Sequence, residues 1–278
     1  MKAAASGPGL PLVLVGAAGR MGREVAALAR AAGDVSLVAA LEAPGSAALG
    51  RPLADAAGGS GRPAIADLAA WDPATAPAGT VVVEFSSPAG LRLLCERLDA
   101  RPLPLVSGTT GLGPEDERRL DVLAERAAVL HAPNMSLGVA AARAAAGLLA
   151  RALGDGFDVE LVELHHGAKR DAPSGTALAL ARAVAEARGE PTEPVLDRTA
   201  RGRPRESGGV GVASLRGGTV VGEHTLFFLG EDERVELTHR AGSRRVFARG
   251  ALRCARWLAG RGPGRHRIDD VLRPGRSG

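Results

Sequence analysis

The chain contains no tyrosine, no glutamine and a single asparagine, Asn134, and aromatics make up only 3% of its 278 residues. The stacking platforms on which single strands of nucleic acid are held are therefore missing. Net charge is only +4, with basic residues scattered among acidic ones, so no basic stripe marks a nucleic-acid partner. Cys95 and Cys254 are far apart and have neither metal-ligand nor redox spacing. That pattern predicts reduced, partly buried thiols in a cytoplasmic protein and no metal site. Long hydrophobic runs are also lacking, so no transmembrane helix and no membrane partner is expected. The N-terminus has a superficially secretory look, but the run Leu10 to Val15 is too short for a signal core and leads straight into a glycine loop, so it reads as a strand. Lysine is nearly absent. Of thirty-five lysine plus arginine residues only Lys2 and Lys169 are lysine, so Lys169 stands out as a compact, proton-donating ammonium that a planar guanidinium cannot replace.

What is present is a globular composition, 45% hydrophobic and 24% charged, long enough for one large or two modest domains. Strand and helix signals alternate through the first half. Leu10–Val15, Val35–Leu41, Thr80–Phe85, Leu103–Val106 and Val129–His131 read as buried strands, and Met21–Ala32, Ala89–Leu98 and Glu115–Ala127 as helices. This alternation predicts an α/β fold, a Rossmann-like doubly wound parallel sheet. The Gly/Ala/Pro-rich stretch Pro44–Ala64 reads as loop. After a long Ala/Leu helix at Leu137–Leu153 the pattern changes to a strand at Asp158–Leu164, a helix at Thr176–Arg188 and a polar loop at Glu190–Gly209. Val210–Arg216 and Thr219–Phe228, joined by Gly217-Gly218, read as a hairpin, with Glu233–Thr238 as a third antiparallel strand. A second, α+β domain with a mostly antiparallel or mixed sheet follows. Phe247–Leu258 returns as an amphipathic helix that packs on the first domain. The expected division is residues 1–136 and 247–278 for a dinucleotide domain, and 137–246 for substrate binding and oligomerisation.

Gly16, Ala17, Ala18, Gly19, Arg20, Met21 and Gly22 follow the first strand and open the first helix. In a dinucleotide loop Gly16 gives the tight turn, Gly19 lets backbone amides approach a pyrophosphate and Gly22 permits close helix–strand packing. Glu42 ends the second strand, where an acid accepts hydrogen bonds from ribose hydroxyls. The loop and the acid together predict NADH or NADPH as the cofactor. Ala43 puts no cation beside that acid and Arg20 is the nearest candidate, which favours NAD without excluding NADP.

The chemistry concentrates between Glu160 and Ala177. His165 and His166 end a strand, and since neighbouring strand residues point to opposite faces, one of them at most meets a substrate unless the loop turns. Lys169 follows. Asp171 has two open roles, partner of a histidine or lysine and cap of the turn. Ser174, Gly175 and Thr176 begin a helix, where free amides and the macrodipole favour a carboxylate or phosphate. His131, His224, His239 and His266 read as structural or surface residues.

These residues carry a resemblance. Glu160, Glu163, His165, Lys169, Asp171 and Pro173 through Ala177 fall on the signature of the 4-hydroxy-tetrahydrodipicolinate reductases, with Leu161 a mild departure. The resemblance extends to the glycine loop, Glu42, Glu-Phe-Ser-Ser-Pro around Phe85, Gly108-Thr109-Thr110-Gly111, Ala132-Pro133-Asn134-Met135-Ser136, Val-Gly-Glu-His-Thr at 221–225 and a closing Asp-Asp-Val-Leu. It implies reduction of 4-hydroxy-tetrahydrodipicolinate to tetrahydrodipicolinate by NADH or NADPH, in the diaminopimelate route to lysine. It implies that His165 and Lys169 donate protons and that His166, Gly175 and Thr176 hold the carboxylates of a small dicarboxylate substrate. It implies that Gly108, Thr109 and Thr110, with Ala132, Pro133, Asn134 and Met135, lie along the nicotinamide, although helix capping is an equally economical reason for Asn134. It also implies a homotetramer. Gly167-Ala168 thins a loop that is often basic in relatives. A related imine reductase and a nucleotide-sensing protein remain as other readings.

Overall fold

The structure, a computed structural model, describes residues 9–54, 60–196, 205 and 208–273. The chain divides into two compact units, one formed by the segments up to Ser136 and from Arg245 onward, the other by Leu137–Arg244.

The first unit is wound about β1 (Leu10–Val15), whose last four residues are fully buried. Such a strand reads as a continuous apolar run because helices cover both of its faces. The chain runs from β1 through α1 (Arg20–Ala32), β2 (Val35–Glu42), β3 (Pro52–Ala54) and β4 (Ser60–Asp67) on one side. It then returns through β5 (Val81–Glu84), α2 (Pro88–Leu98), β6 (Leu105–Ser107), α3 (Pro114–Ala124) and β7 (Ala128–His131) on the other. The resulting order is β13-β7-β6-β5-β1-β2-β4-β3, with β13 (Gly264–His266) supplied by the C-terminal segment that also holds α6 (Arg245–Leu258) and α7 (Ile268–Leu272). All these pairings are parallel except β3 with β4. Strand order reverses between β1 and β5, the place where an open α/β sheet leaves a crevice for ligands. Leu91, Leu94 and Leu98 of α2 join Leu120 and Leu123 of α3 over Val13, Val82 and Leu105, while α6 packs beside α1.

One expectation fails here. The stretch 44–64 is not simply loop, because β3 and the start of β4 lie within it. Leu53 and Ile65 are buried, and Pro52 is tolerated because β3 is the edge strand, with β4 between it and β2. Residues 55–59 of that stretch lie outside the described residues.

The second unit comprises α4 (Leu137–Leu153), β8 (Asp158–His165), α5 (Gly175–Arg188), β9 (Val195–Leu196), β10 (Val210–Arg216), β11 (Gly222–Leu229) and β12 (Arg234–Ala241). With the turn to Gly156, α4 is long and apolar enough by composition to cross a membrane. Here its Ala142, Ala146 and Ala150 pack in the core with Val159, Leu161, Leu226 and Phe228, the part a core helix plays. Half of the expected loop at 190–209 lies outside the described residues, but β9 within it pairs with β10.

The expected hairpin does not form. The order is β12-β11-β8-β10-β9, so β8 lies between the two strands, parallel to β10 and antiparallel to β11. Gly217-Gly218 instead begins a crossover past the end of β8, where Gly217 N–H donates to His165 O and Gly167 N–H to Gly218 O. A glycine pair signals a turn but not which strands it joins; the antiparallel pairing of β11 with β12 does match expectation.

Candidate active site

In the second unit, β8 alternates strictly, so Val159, Leu161, Glu163 and His165 face the helices. Register extends each of them into a row across the sheet. Val212, Leu161, Leu226 and Leu237 form an apolar row, and the next row is Ser214, Glu163, His224 and His239. The sheet thus turns from apolar to polar toward the end of β8, beneath the start of α5.

Glu163 is 0% exposed, and its two oxygens have different duties. Oε1 accepts from Ser174 N–H (3.1 Å), Ser214 Oγ (2.7 Å) and Arg216 Nη2 (2.9 Å). Oε2 lies 2.8 Å from His165 Nδ1 and 3.8 Å from His224 Nε2, although neither Oε2 nor Nδ1 has an aligned hydrogen bond. The first contact is therefore a close approach that becomes an ion pair only when His165 is protonated. Burial alone would raise the Glu163 carboxyl, but donors from Ser174, Ser214 and Arg216 outweigh it and hold it at about 2. Burial, then the neighbouring His165, pushes the His224 imidazole down to about 4. His165 is lowered too, by burial first, with Glu163 opposing and Lys169 and Arg216 reinforcing.

Ser174 caps α5 by accepting from Ala177 N–H, and its hydroxyl also meets His224 Nε2 at 3.1 Å. Arg216 reaches from β10 to Asp171 O (2.6 Å), tying the loop to the sheet. In that loop Lys169 Nζ donates to both Asp171 oxygens at 2.7 Å, and the ammonium lowers the Asp171 carboxyl. Of the two open roles for Asp171, partner of the lysine is the one the structure shows. His166 is half-buried and Gly175 exposed. His165 and Lys169 are thus gathered with the α5 start, and His165, not His166, takes the core-facing position on β8. Sequence reasoning missed Ser214, Arg216 and His224, which reach the cluster only through cross-strand register, and gave Glu163 no role although it alternates with His165. Glu163, His165 and His224 hold ligand atoms within 4.8 Å of one another. However, Arg216 and two serine donors already saturate one carboxylate oxygen, and a cluster flanked by Arg216 and Lys169 is a poor field for a divalent cation.

In the first unit, the glycine loop joins β1 to α1. Gly16 has φ 77, and a Cβ there would meet Phe85 O at 2.4 Å; one on Gly22 would meet Gly16 O at 2.2 Å. Only glycine allows this closeness. The α1 N-terminus has no side-chain cap and no acid in its first turn, so its amides suit an anion such as a pyrophosphate. Glu42 Oε1 accepts from Ala18 N–H at 2.8 Å, binding the β2 end to the loop. Arg20 is exposed, and so is Ala43 beside Glu42.

Across the switch point Glu84, also 0% exposed, accepts from Ser86 N–H (2.6 Å), Ser107 Oγ (2.6 Å) and Thr109 Oγ1 (2.6 Å). His131 Nε2 meets Thr109 O at 2.9 Å, and its Nδ1 lies 3.2 Å from Glu117 Oε1. The loop at Gly108, Thr109 and Thr110 is thus held on two sides. Ala132 and Met135 are buried, Pro133 is exposed, and Asn134 Oδ1 accepts from Ser136 N–H at the approach to α4. Neither Glu84 nor His131 was singled out from sequence, because their partners lie on neighbouring strands.

Both units match known family models, dihydrodipicolinate reductase N-terminus over residues 10–135 and dihydrodipicolinate reductase C-terminus over residues 138–272. The chain belongs to the dihydrodipicolinate reductase family. A 4-hydroxy-tetrahydrodipicolinate reductase of Anaeromyxobacter dehalogenans (strain 2CP-1) is 44% identical over 94% of this chain and 97% of its own length. One from Myxococcus xanthus is 44% identical over 94% and 96%. Among solved structures, a dipicolinate-bound dihydrodipicolinate reductase from Paenisporosarcina sp. TG-14 superposes with a TM-score of 0.73 at 23% identity, covering 95% of this chain and 100% of that one. At that identity the superposition shows the fold, a Rossmann-type first unit and a mixed-sheet second unit, as the residues had indicated.

Proposed function

We propose that the protein reduces 4-hydroxy-tetrahydrodipicolinate to tetrahydrodipicolinate with NADH or NADPH, in the diaminopimelate route to lysine. The observation that carries this reading is the gathering of His165, Lys169 and the α5 start at the end of β8, within a chain whose two units both match the family. Residues 1–136 and 247–278 bind the dinucleotide, through Gly16, Ala17, Ala18, Gly19, Arg20, Met21 and Glu42 at the adenosine and pyrophosphate. Gly108, Thr109, Thr110, Ala132, Pro133, Asn134 and Met135 lie along the nicotinamide, the buried Ala132 and Met135 contributing backbone. Residues 137–246 hold the substrate and assemble the oligomer, a homotetramer, and the enzyme works in the cytoplasm.

The substrate loses its 4-hydroxyl as water, leaving a conjugated imine. The reduced nicotinamide supplies a hydride to the ring carbon, and His165 or Lys169 gives one proton to the adjacent anionic carbon. One hydride, one proton and one water balance the reaction. His166 and the Gly175 and Thr176 end of α5 hold the two carboxylates, and the α5 dipole and the Lys169 ammonium favour that charge. Replacing either His165 or Lys169 removes a donor that is worth about 10²-fold or more.

The test is oxidation of reduced nicotinamide by purified protein, with substrate formed in situ from pyruvate and aspartate semialdehyde by a synthase. Synthase-dependent oxidation is expected, faster with NADH because Ala43 leaves no cation beside Glu42. Cofactor binding with no oxidation would move the assignment to another imine or to a sensing role.

A further inference from the structure

Nothing in a proton-donor role for His165 by itself says what holds its ring. We infer that Glu163 is a positioning residue for His165, setting its charge at the Nδ1 edge, and that Gly222 keeps the Nε2 edge clear, so that the proton leaves from Nε2. This rests on the reading of His165 as a donor.

Three observations carry it. First, Glu163 commits Oε1 to Ser174, Ser214 and Arg216, which locks the carboxylate and leaves Oε2 2.8 Å from His165 Nδ1. No aligned hydrogen bond joins the two atoms, so Glu163 acts through its charge: a carboxylate this close to the Nδ1 edge favours a proton there and favours the charged ring, leaving Nε2 as the atom that gives a proton up. Second, a Cβ on Gly222 would lie 2.9 Å from His165 Nε2 and 3.2 Å from its Cδ2. The crossover after β10 lays the first residue of β11 against the imidazole, and any side chain there would press on the donating edge. Third, His224 stands edge-on to His165, with centroids 5.2 Å apart and planes at 77°, and its own Nε2 is held by Ser174 Oγ at 3.1 Å. The ring is therefore bounded by β8, by β11 and by the anchor of the α5 cap.

The charged and titratable groups acting on His165 are Glu163 on β8, His224 on β11, Arg216 on β10, and Lys169 and Asp171 in the loop. Burial, Lys169 and Arg216 lower the imidazole, while Glu163 raises it. Removing the Glu163 charge therefore lowers it further, and the fall of kcat/KM with rising pH moves to lower pH.

The test is a pair of double-mutant cycles. Glu163→Gln keeps an acceptor for Ser174 and Ser214 and removes the charge; Gly222→Ala changes no charge and adds one methyl. Each is expected to lower kcat about 10- to 10²-fold, as a misplaced donor does, with the KM for NAD(P)H unchanged. Each is expected to add little in a His165→Gln background, and E163Q alone is expected to move the pH limb. Effects that multiply with H165Q, or an E163Q profile with the wild-type limb, would overturn the inference while leaving the donor assignment intact. Near-normal turnover in H165Q itself would remove the donor assignment and the inference with it. If E163Q does not fold, the G222A cycle decides alone.

Discussion

Lys169 and Glu163 illustrate how much single side chains decide in the second unit. In a chain that uses arginine almost everywhere a cation is needed, the ammonium of Lys169 sits between two Asp171 oxygens at 2.7 Å. Lys169→Arg keeps the charge and that pairing but cannot release a proton near neutral pH. It should fold normally and lose about 10²-fold or more in turnover, measured in the synthase-coupled assay beside a circular dichroism control. Glu163 and His224 predict acid sensitivity. The folded Glu163 carboxyl sits at about 2 against an ordinary 4.5, so its stabilisation is complete above 4.5 and is lost as pH falls toward 2. His224 is held neutral at about 4 against 6.5, and its share is lost as pH falls from 6.5 toward 4. The thermal midpoint should therefore decline from about pH 6.5 downward. Glu163→Gln should start lower and flatten the part below 4.5. A midpoint that is level from pH 7 to 3 would contradict this.

Among the elements, β8 and the loop after β6 position most of the chemistry. The alternation of β8 was legible in Asp158–Leu164, and so were the α5 start and the glycine loop, because local period and capping residues fix them. The row Ser214–Glu163–His224 was not legible, because register between strand residues such as Glu163 and Ser214, 51 apart in sequence, depends on which strands pair. The same limit explains the failed hairpin at Gly217-Gly218, and edge position explains β3 in a stretch with no apolar period, with β4 joining it to β2. In the first unit, Glu84 receives Ser86, Ser107 and Thr109. Glu84→Gln turns part of that acceptor into a donor facing hydroxyls and should loosen the loop at Gly108–Thr110. The expected result is a KM for NAD(P)H raised several-fold, with the substrate KM little changed; the opposite split would break the link between this buried acid and the cofactor.

For the whole molecule, the face of the second sheet opposite its helices carries Val162, Leu164, Phe227 and Thr225, all only half-buried, and Leu215, which is 52% exposed. A half-apolar open sheet face is the kind of surface a second copy covers. In the proposed homotetramer, light scattering gives about four times the 28.2 kDa chain mass, whereas a monomer mass at working concentration would contradict it. The proposed reaction needs a dinucleotide held by one unit and proton donors held by the other, and the two needs separate in a single comparison. Wild type and the His165→Gln, Lys169→Ala double variant are placed in the synthase-coupled assay, with NADH binding followed by fluorescence. Both proteins are expected to bind NADH, and only the wild type to oxidise it when synthase product is present. Equal oxidation by the two, or binding without oxidation by the wild type, would contradict it.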